Sequence, residues 1–538
     1  MPKCKINGKP ITVERGTTII QAAAELGFDV PHFCYHPGLS VPANCRMCLV
    51  EVKGARKLLP ACYTQVSDKM EVETESERVI QSRRAVLEFI LINHPVDCPI
   101  CDQAGECKLQ DYYMDYDTQE SRLRTPKVSK VKVYPIGPEV VYDGERCILC
   151  TRCVRFCDEI TGTNELTVVE RGDRSEIRTF PGQELDNNYS MCTVDLCPVG
   201  ALTSRDFRFK CRVWLLQSTD SICTGCSRGC SIHLEHHRRE VQRYRPRFNP
   251  EVNDYWMCDP GRLSYKELHR DRMLKPLING ASYTWPQMAD KGAALIRESI
   301  EALGDDGADQ VGFVFSPQSS CEGLFMARRF AEEALGCTHH YIAGRPHGEG
   351  DDFLITTDKN PNRNGLLLQF PRGNRPKGFD DLMADLESGR LKVLYMMGSE
   401  IPVDGEQAER FRELVRDLDL FVLQAPRGDG LDELARIILP ACTHAEQRGT
   451  YINCDGVAQQ TREAFRPLGN SLPDWQIMMR LSARLGTPLT YTFITKLQEE
   501  MWEAMKVNAQ SPAVSEEAVS ANVGDGDDEA APEEAAAP

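Results

Sequence analysis

Cysteine spacing carries the chemistry of this sequence. Cys34, Cys45, Cys48 and Cys62 follow the pattern C-x10-C-x2-C-x13-C across "FCYHPGLSVPANCRMC" and "LPACYT". Four thiolates with one C-x2-C pair and a distant partner suit a [2Fe-2S] centre, here with the first gap widened relative to the plant-type spacing. A zinc ribbon normally brings two C-x2-C pairs, and only one is present. In "HPVDCPICDQAGEC", Cys98, Cys101 and Cys107 provide three thiolates and require a fourth ligand. Asp97 and Asp102 offer hard oxygens poorly matched to such a centre, whereas imidazole replaces cysteine in Rieske centres, so His94 is the expected fourth ligand. The competing reading, a surface histidine at a helix C-terminus, leaves those three cysteines unmatched.

Two further sets follow. "CILCTRCVRFC" contributes Cys147, Cys150, Cys153 and Cys157 in the bacterial-ferredoxin run C-x2-C-x2-C-x3-C, whose fourth cysteine serves the other cluster of a two-cluster domain. A matching run ending at Cys197-Pro198 would need cysteines at three positions occupied by Asn187, Ser190 and Thr193. One [4Fe-4S] centre on Cys147, Cys150, Cys153 and Cys197 is therefore expected, with Cys157 a relic and Cys192 a buried thiol that ligates nothing. The last set is Cys223, Cys226 and Cys230 in "CTGCSRGC" with Cys258 in "YWMCDPGR", for which another [4Fe-4S] centre is expected over zinc. Four centres so close in sequence have one common use, which is passing single electrons. This half contains no G-x-G-x-x-G at a strand-to-helix turn, no Walker lysine and no acid, base or nucleophile constellation.

The elements that must position these ligands are partly legible. "CKINGKPITVERGTTIIQAAAELGF" predicts a hairpin turning at Asn7-Gly8 and a helix from Thr17 to Leu26. A helix over 76–93, with Val79, Val86, Leu87, Ile90 and Leu91 on one face, delivers His94 to its cysteines. Beyond residue 272, strand candidates 311–316, 392–397 and 420–424 alternate with helices over 323–336 and 406–418, predicting βα units on a mostly parallel sheet. The tail from about Asn508 is acidic, rich in alanine and free of aromatics, as disordered segments are.

Composition bounds the class. The chain has 538 residues, too many for one core, and a formal charge of −17 without a basic stripe, which disfavours nucleic acid as a partner. Nineteen of the 23 cysteines precede residue 259. No secretory leader or membrane-length apolar run is recognisable, so metal is favoured over disulfides, and any membrane association is expected through partners.

Taken in order, the four sets resemble the large iron-sulfur subunit of bacterial NADH:quinone oxidoreductase, respiratory complex I (NuoG type). "CPVGALTS" (197–204) matches as well, and the resemblance covers residues 1–272. It implies a multidomain α+β and α/β chain. A β-grasp [2Fe-2S] ferredoxin-like domain would span 1–78, a His/Cys3 [4Fe-4S] module 79–120, and a degenerate two-cluster ferredoxin-like module with one [4Fe-4S] 138–212. A molybdopterin-oxidoreductase-type [4Fe-4S] domain would span 216–272, with its cluster off the main electron path. A weaker likeness, carried by "GTYINCDGVAQ" (449–459), implies a shortened molybdopterin-oxidoreductase-like α/β domain over 273–507, then the tail 508–538. No cysteine lies between Cys337 and Cys442, where a catalytic one would be sought, and "AGRPH" puts His347 there. This region is therefore expected to hold no molybdopterin. Partners implied are a flavin- and NADH-binding subunit, a downstream [4Fe-4S] ferredoxin-like subunit and other peripheral-arm subunits, on the cytoplasmic face of the inner membrane. No flavin and no independent substrate-converting site are expected. The alternative is a diaphorase or electron-transfer subunit of an NAD-linked hydrogenase or formate dehydrogenase complex.

Overall fold

The protein is described by a computed structural model covering residues 1–116 and 120–510. It divides into two compact units. Unit 1 comprises Met1–Arg270 with Gly348–Thr357 and Thr461–Arg466; unit 2 comprises Asp271–His347, Asp358–Gln460 and the described part of Pro467–Pro538.

Unit 1 opens with β1 (Lys3–Ile6) and β2 (Lys9–Thr12). The turn between them places Asn7 at φ 48 and Gly8 at φ 77, the paired positive values a two-residue hairpin loop requires. Helix α1 (Ile19–Glu25) starts after Thr18, shorter than the predicted span, and buries Ile19, Ile20, Ala22 and Ala23. With β3 (Leu49–Val52), β4 (Leu59–Pro60) and β5 (Glu71–Glu73) the strands form one sheet in the order β2-β1-β5-β3-β4. Only β1 and β5 pair in parallel, and this mixed sheet curls around α1. Helix α2 (Glu77–Leu91) buries Val79 and Leu87 as its periodicity predicts, and also Arg83. The Arg83 guanidinium is satisfied there by Glu75 at 2.8 Å, the Tyr116 hydroxyl at 2.9 Å and the Thr74 carbonyl at 2.7 Å. Helix α3 (Lys108–Tyr116) packs against α2.

The rest of unit 1 is built from short pieces. Strands β6 (Tyr134–Pro135) and β7 (Val140–Tyr142), helix α4 (Arg152–Glu159), the hairpin β8 (Thr167–Val169) and β9 (Glu176–Arg178), helix α5 (Cys192–Leu196) and strand β10 (Leu202–Ser204) follow one another, with a sheet in the order β10-β7-β6. Then come the antiparallel strands β11 (Gln217–Ile222), β12 (Ser231–His237) and β13 (Glu240–Pro246), and helix α6 (Asp259–Leu263). Two segments from the stretch predicted as one α/β domain join this unit. In the first, Tyr189 donates to Asp351 at 2.6 Å and accepts from the Leu354 amide at 3.1 Å; in the second, Phe465 packs on His236. Such ties leave no trace in local composition.

Unit 2 contains β14 (Leu277–Ile278), β15 (Ala281–Ser282), α7 (Trp285–Glu301), β16 (Val311–Phe315), α8 (Cys321–Arg329), β17 (His339–Ile342), α9 (Arg363–Leu367), α10 (Phe379–Glu387), β18 (Val393–Met397) and α11 (Gly405–Arg416). It continues with β19 (Leu420–Ala425), β20 (Ile437–Pro440), the pair β21 (Gly449–Ile452) and β22 (Ala458–Thr461), α12 (Asp474–Leu485) and α13 (Ile494–Gln510). The main sheet runs β15-β14-β20-β19-β18-β16-β17, with β16 to β20 parallel. Alternate residues serve opposite faces, as the strand period demands. Phe313, Tyr395 and Val422 join the core with α7, α8, α12 and α13, while Val314, Leu394 and Phe421 join that with α10 and α11. Helix α13 carries order three residues into the predicted tail: Asn508 is buried and donates to the carbonyls of Leu368 at 3.1 Å and Gln369 at 2.8 Å. The remainder of that tail, and residues 117–119 of the His/Cys3 module, lie outside the described residues. Among the described residues no helix is long and apolar enough to cross a membrane.

Candidate iron-sulfur sites

All sixteen predicted ligands fall in unit 1. Pairing of β3 with β4 sets Leu49 opposite Pro60, which brings the flanking Cys48 and Cys62 together with their sulfurs 3.3 Å apart. Cys34 and Cys45 form a second pair, the Cys34 amide donating to the Cys45 sulfur at 3.4 Å. Within each pair the hydrogen bond between thiols lowers the acceptor, Cys45 or Cys48, and raises its donor. Two pairs of thiolates are what two bridged irons require.

The second set lies in the loops between α2 and α3. Asp97 is committed elsewhere, receiving Arg146 through two bonds of 2.9 and 2.7 Å, and Asp102 accepts the Phe209 amide at 2.9 Å. His94 Nδ1, by contrast, is buried with no hydrogen-bond partner. Burial holds its imidazole down to about 4, so at neutral pH it is an uncharged donor with a free lone pair. Val96, between His94 and Cys98, adopts φ 54, a conformation that strains a β-branched residue and that this loop enforces.

Cys147, Cys150, Cys153 and Cys197 together line one cavity with an empty volume of about 340 Å³, closed by Tyr142, Ile177, Val199 and Leu202. Cys153 rides on α4 and Cys197 follows the end of α5, so two helices and the loop after β7 converge there. Burial pushes Cys147, Cys150 and Cys197 up to about 11, and Cys153 well above its ordinary value. Thiols crowded in so dry a place ionise only when a metal centre takes up their charge.

Across from this cavity, the positions where the two-cluster repeat has lost its cysteines are closed by hydrogen bonds. Ser190 donates to Asp259 at 2.6 Å, Thr193 to the Ser190 carbonyl at 2.6 Å, and Asn187 to Glu165. Cys157 is fully buried, and Cys192 is buried with its thiol on the Met257 carbonyl at 3.2 Å.

For the fourth set, the β11–β12 hairpin presents Cys223, Cys226 and Cys230 in its loop, and Cys258 caps α6. A Cβ on Gly261 would stand 3.0 Å from both the Cys223 and Cys258 sulfurs, so this glycine admits their meeting. Among the described residues no three His, Cys, Asp or Glu side chains converge on one point as a mononuclear ion requires. A cluster spreads its ligands over two or four irons, and the donor sets fit that demand.

Sequence reasoning missed the residues that join the sites. Arg155 donates to the Cys34 carbonyl at 2.6 Å, tying α4 to the first set. Gly200 leaves no room for a side chain, because its Cβ would lie 2.2 Å from the Cys101 sulfur. The only signal was an arginine inside "CTRC". In unit 2, His347 is exposed in the loop after β17.

Family models match along the whole described arrangement. They are a 2Fe-2S iron-sulfur cluster binding domain over 3–77, an NADH-ubiquinone oxidoreductase-G iron-sulfur binding region over 83–122, and the ferredoxin-like domain of NADH-quinone oxidoreductase subunit 3 over 137–203. A molybdopterin oxidoreductase Fe4S4 domain follows over 216–270 and a molybdopterin oxidoreductase model over 368–484. The NuoG-type NADH-quinone oxidoreductase subunit of Rickettsia bellii is 38% identical over 78% of this chain and 61% of its own length. The NADH-ubiquinone oxidoreductase 75 kDa subunit of Reclinomonas americana is 30% identical over 94% of this chain and 92% of its own. This chain thus spans less than two thirds of the rickettsial protein and nearly all of the other. A chain of an NAD+-reducing [NiFe]-hydrogenase in the H2-reduced state is 26% identical over 39% of this chain and 91% of its own, with a TM-score of 0.36, too low to argue from. On ordered motifs, domain matches and near-complete overlap with the Reclinomonas protein, the chain belongs to the family of the NuoG-type subunit of NADH-quinone oxidoreductase and the 75 kDa subunit of NADH-ubiquinone oxidoreductase.

Proposed function

We propose that this chain is an electron-transfer subunit of an NADH:quinone oxidoreductase, holding one [2Fe-2S] and three [4Fe-4S] centres. Cys34, Cys45, Cys48 and Cys62 hold the first; His94, Cys98, Cys101 and Cys107 the second; Cys147, Cys150, Cys153 and Cys197 the third; Cys223, Cys226, Cys230 and Cys258 the fourth. When bound, such clusters supply one-electron carriers. The observation that carries this reading is the cavity on which four cysteines from separate elements converge. The chain's residues contribute dry, shaped surroundings and direct contacts between neighbouring sets, through Arg155 at Cys34 and Gly200 at Cys101. Electrons would arrive from a flavin-bearing NADH-oxidising subunit at the first set and leave through the second and third toward a [4Fe-4S] partner and quinone. The assembly would be peripheral on the cytoplasmic face of the inner membrane.

Metal and sulfide analysis of the anaerobically reconstituted chain tests this. About 14 irons per chain are expected, with no molybdenum, pterin or flavin and no NADH oxidation by the chain alone. About ten irons would mean that one [4Fe-4S] set, the Cys223 set first, is empty or holds zinc. Stoichiometric molybdenum would overturn the reading in favour of an enzyme of the formate dehydrogenase type.

A further inference from the structure

Buried arginines stand beside the ligand sets, and all but one of those that lie deepest have carboxylates. Arg146 faces Asp97 at 2.7 Å and Asp143 at 3.4 Å; Arg262 pairs with Asp195. Arg152 is different. It is 6% exposed, lines the cavity of Cys147, Cys150, Cys153 and Cys197, and has only backbone carbonyls as partners. Its Nη1 donates to Leu196 at 3.2 Å and its Nη2 to Tyr35, while its Nε is buried without a partner. Leu196 precedes Cys197, and Tyr35 follows Cys34. One guanidinium therefore bridges the main chain beside a ligand of the third set and beside a ligand of the first.

A guanidinium does not shed its proton, and burying one without an anion is costly. Two carbonyl dipoles offset part of that cost. The anionic charge that remains to compensate it is the one the thiolate-held centres themselves carry, which grows by one unit on reduction. We propose that Arg152 is a counter-cation shared by the Cys34 and Cys147 centres, and that its charge raises the reduction potentials of both together. It is a positioning and tuning residue that touches neither iron directly. Arg155, one turn along α4, reaches the carbonyls of Cys34 and Ser40 and so serves the first set.

The inference rests on the cluster reading of the two cysteine sets, which iron and sulfide content tests separately from any potential. The experiment is a redox titration of the full reconstituted chain followed by electron paramagnetic resonance. In Arg152→Met, both centres should need a lower poise: at the wild-type midpoint the ratio of oxidised to reduced form should rise about tenfold, equivalent to 59 mV for a one-electron couple. The centres of His94 and Cys223 should not move. Arg152→Lys keeps the charge but has a single ammonium in place of the fork, and should return both potentials most of the way. Full iron content with unchanged potentials in Arg152→Met would overturn the proposal. So would an equal shift of all four centres, or a shift in Arg152→Lys as large as in Arg152→Met. If the methionine variant does not load these sites, the lysine variant decides: loaded sites near wild-type potential support a charge role, and failure to load them overturns it.

Discussion

His94 shows how a single residue is decided by what its neighbours are already doing. Both nearby carboxylates are engaged, Asp97 by Arg146 and Asp102 by a backbone amide, whereas the buried Nδ1 of His94 is orphaned. Neutral imidazole in place of thiolate makes a centre less negative, so this one should accept electrons more readily than an all-cysteine equivalent. His94→Cys should retain the centre at a lower potential, and His94→Ala should make it labile while the other three persist. Redox titration by electron paramagnetic resonance checks both; wild-type spectrum and potential in both variants would remove His94 from the ligand set. Gly200 gives a prediction of a different kind. An alanine there would push its methyl into the Cys101 sulfur, at 2.2 Å before any relaxation. Overpacking of this sort costs about 1–3 kcal/mol. Gly200→Ala should therefore lower the thermal midpoint and the iron content of the second site, and a variant with full iron and an unchanged midpoint would show that the loop yields freely.

At the scale of elements, helix α12 sets two effects against each other. Asp474 is its first residue, where the helix dipole favours a carboxylate, yet the residue is fully buried. Burial wins, raising its carboxyl to about 6 even though Gln424 donates to Oδ1 at 2.8 Å. A carboxyl whose folded value lies above its unfolded value of about 3.9 binds its proton more tightly in the folded chain. Stability must then fall as pH rises from about 4 through 6, by roughly 2–3 kcal/mol in all, and the loss is complete above that range. Asp474→Asn keeps the Oδ1 acceptor and removes the charge. Its unfolding midpoint in urea should exceed wild type at pH 8 and match it near pH 4; an equal or lower midpoint at pH 8 would show that the carboxylate is compensated.

For the molecule as a whole, the predicted tail boundary has moved. Asn508 is the last side chain of α13 seen bridging to the carbonyls that end α9, so unit 2 is closed by a residue the composition assigned to the tail. A chain ended after Gln510 should unfold at the wild-type temperature. One ended after Val507 should lose two buried hydrogen bonds, each worth about 1 kcal/mol, and melt a few degrees lower. Calorimetry of the two truncations distinguishes them, and equal midpoints would make the bridge dispensable. Iron content should be the same in both, because all four ligand sets belong to unit 1.

The ligand sets and the βα pattern of unit 2 were legible in sequence for a simple reason: each depends on local spacing. A C-x2-C pair brings its own sulfurs near one another, and a parallel strand buried on both faces, such as Val393–Met397, reads as a continuous apolar run. Such signals survive without knowledge of distant contacts. What local spacing does not encode, tertiary structure decided. That Asp97 is occupied and His94 is not depends on Arg146, far along the chain. That residues 348–357 and 461–466 group with unit 1 depends on Tyr189 and His236. That Arg83 can be buried depends on Glu75 and Tyr116 closing around it. The same holds for Arg152: an arginine in "CTRC" is unremarkable until the fold removes its water and leaves it two carbonyls, one beside each of two metal sites.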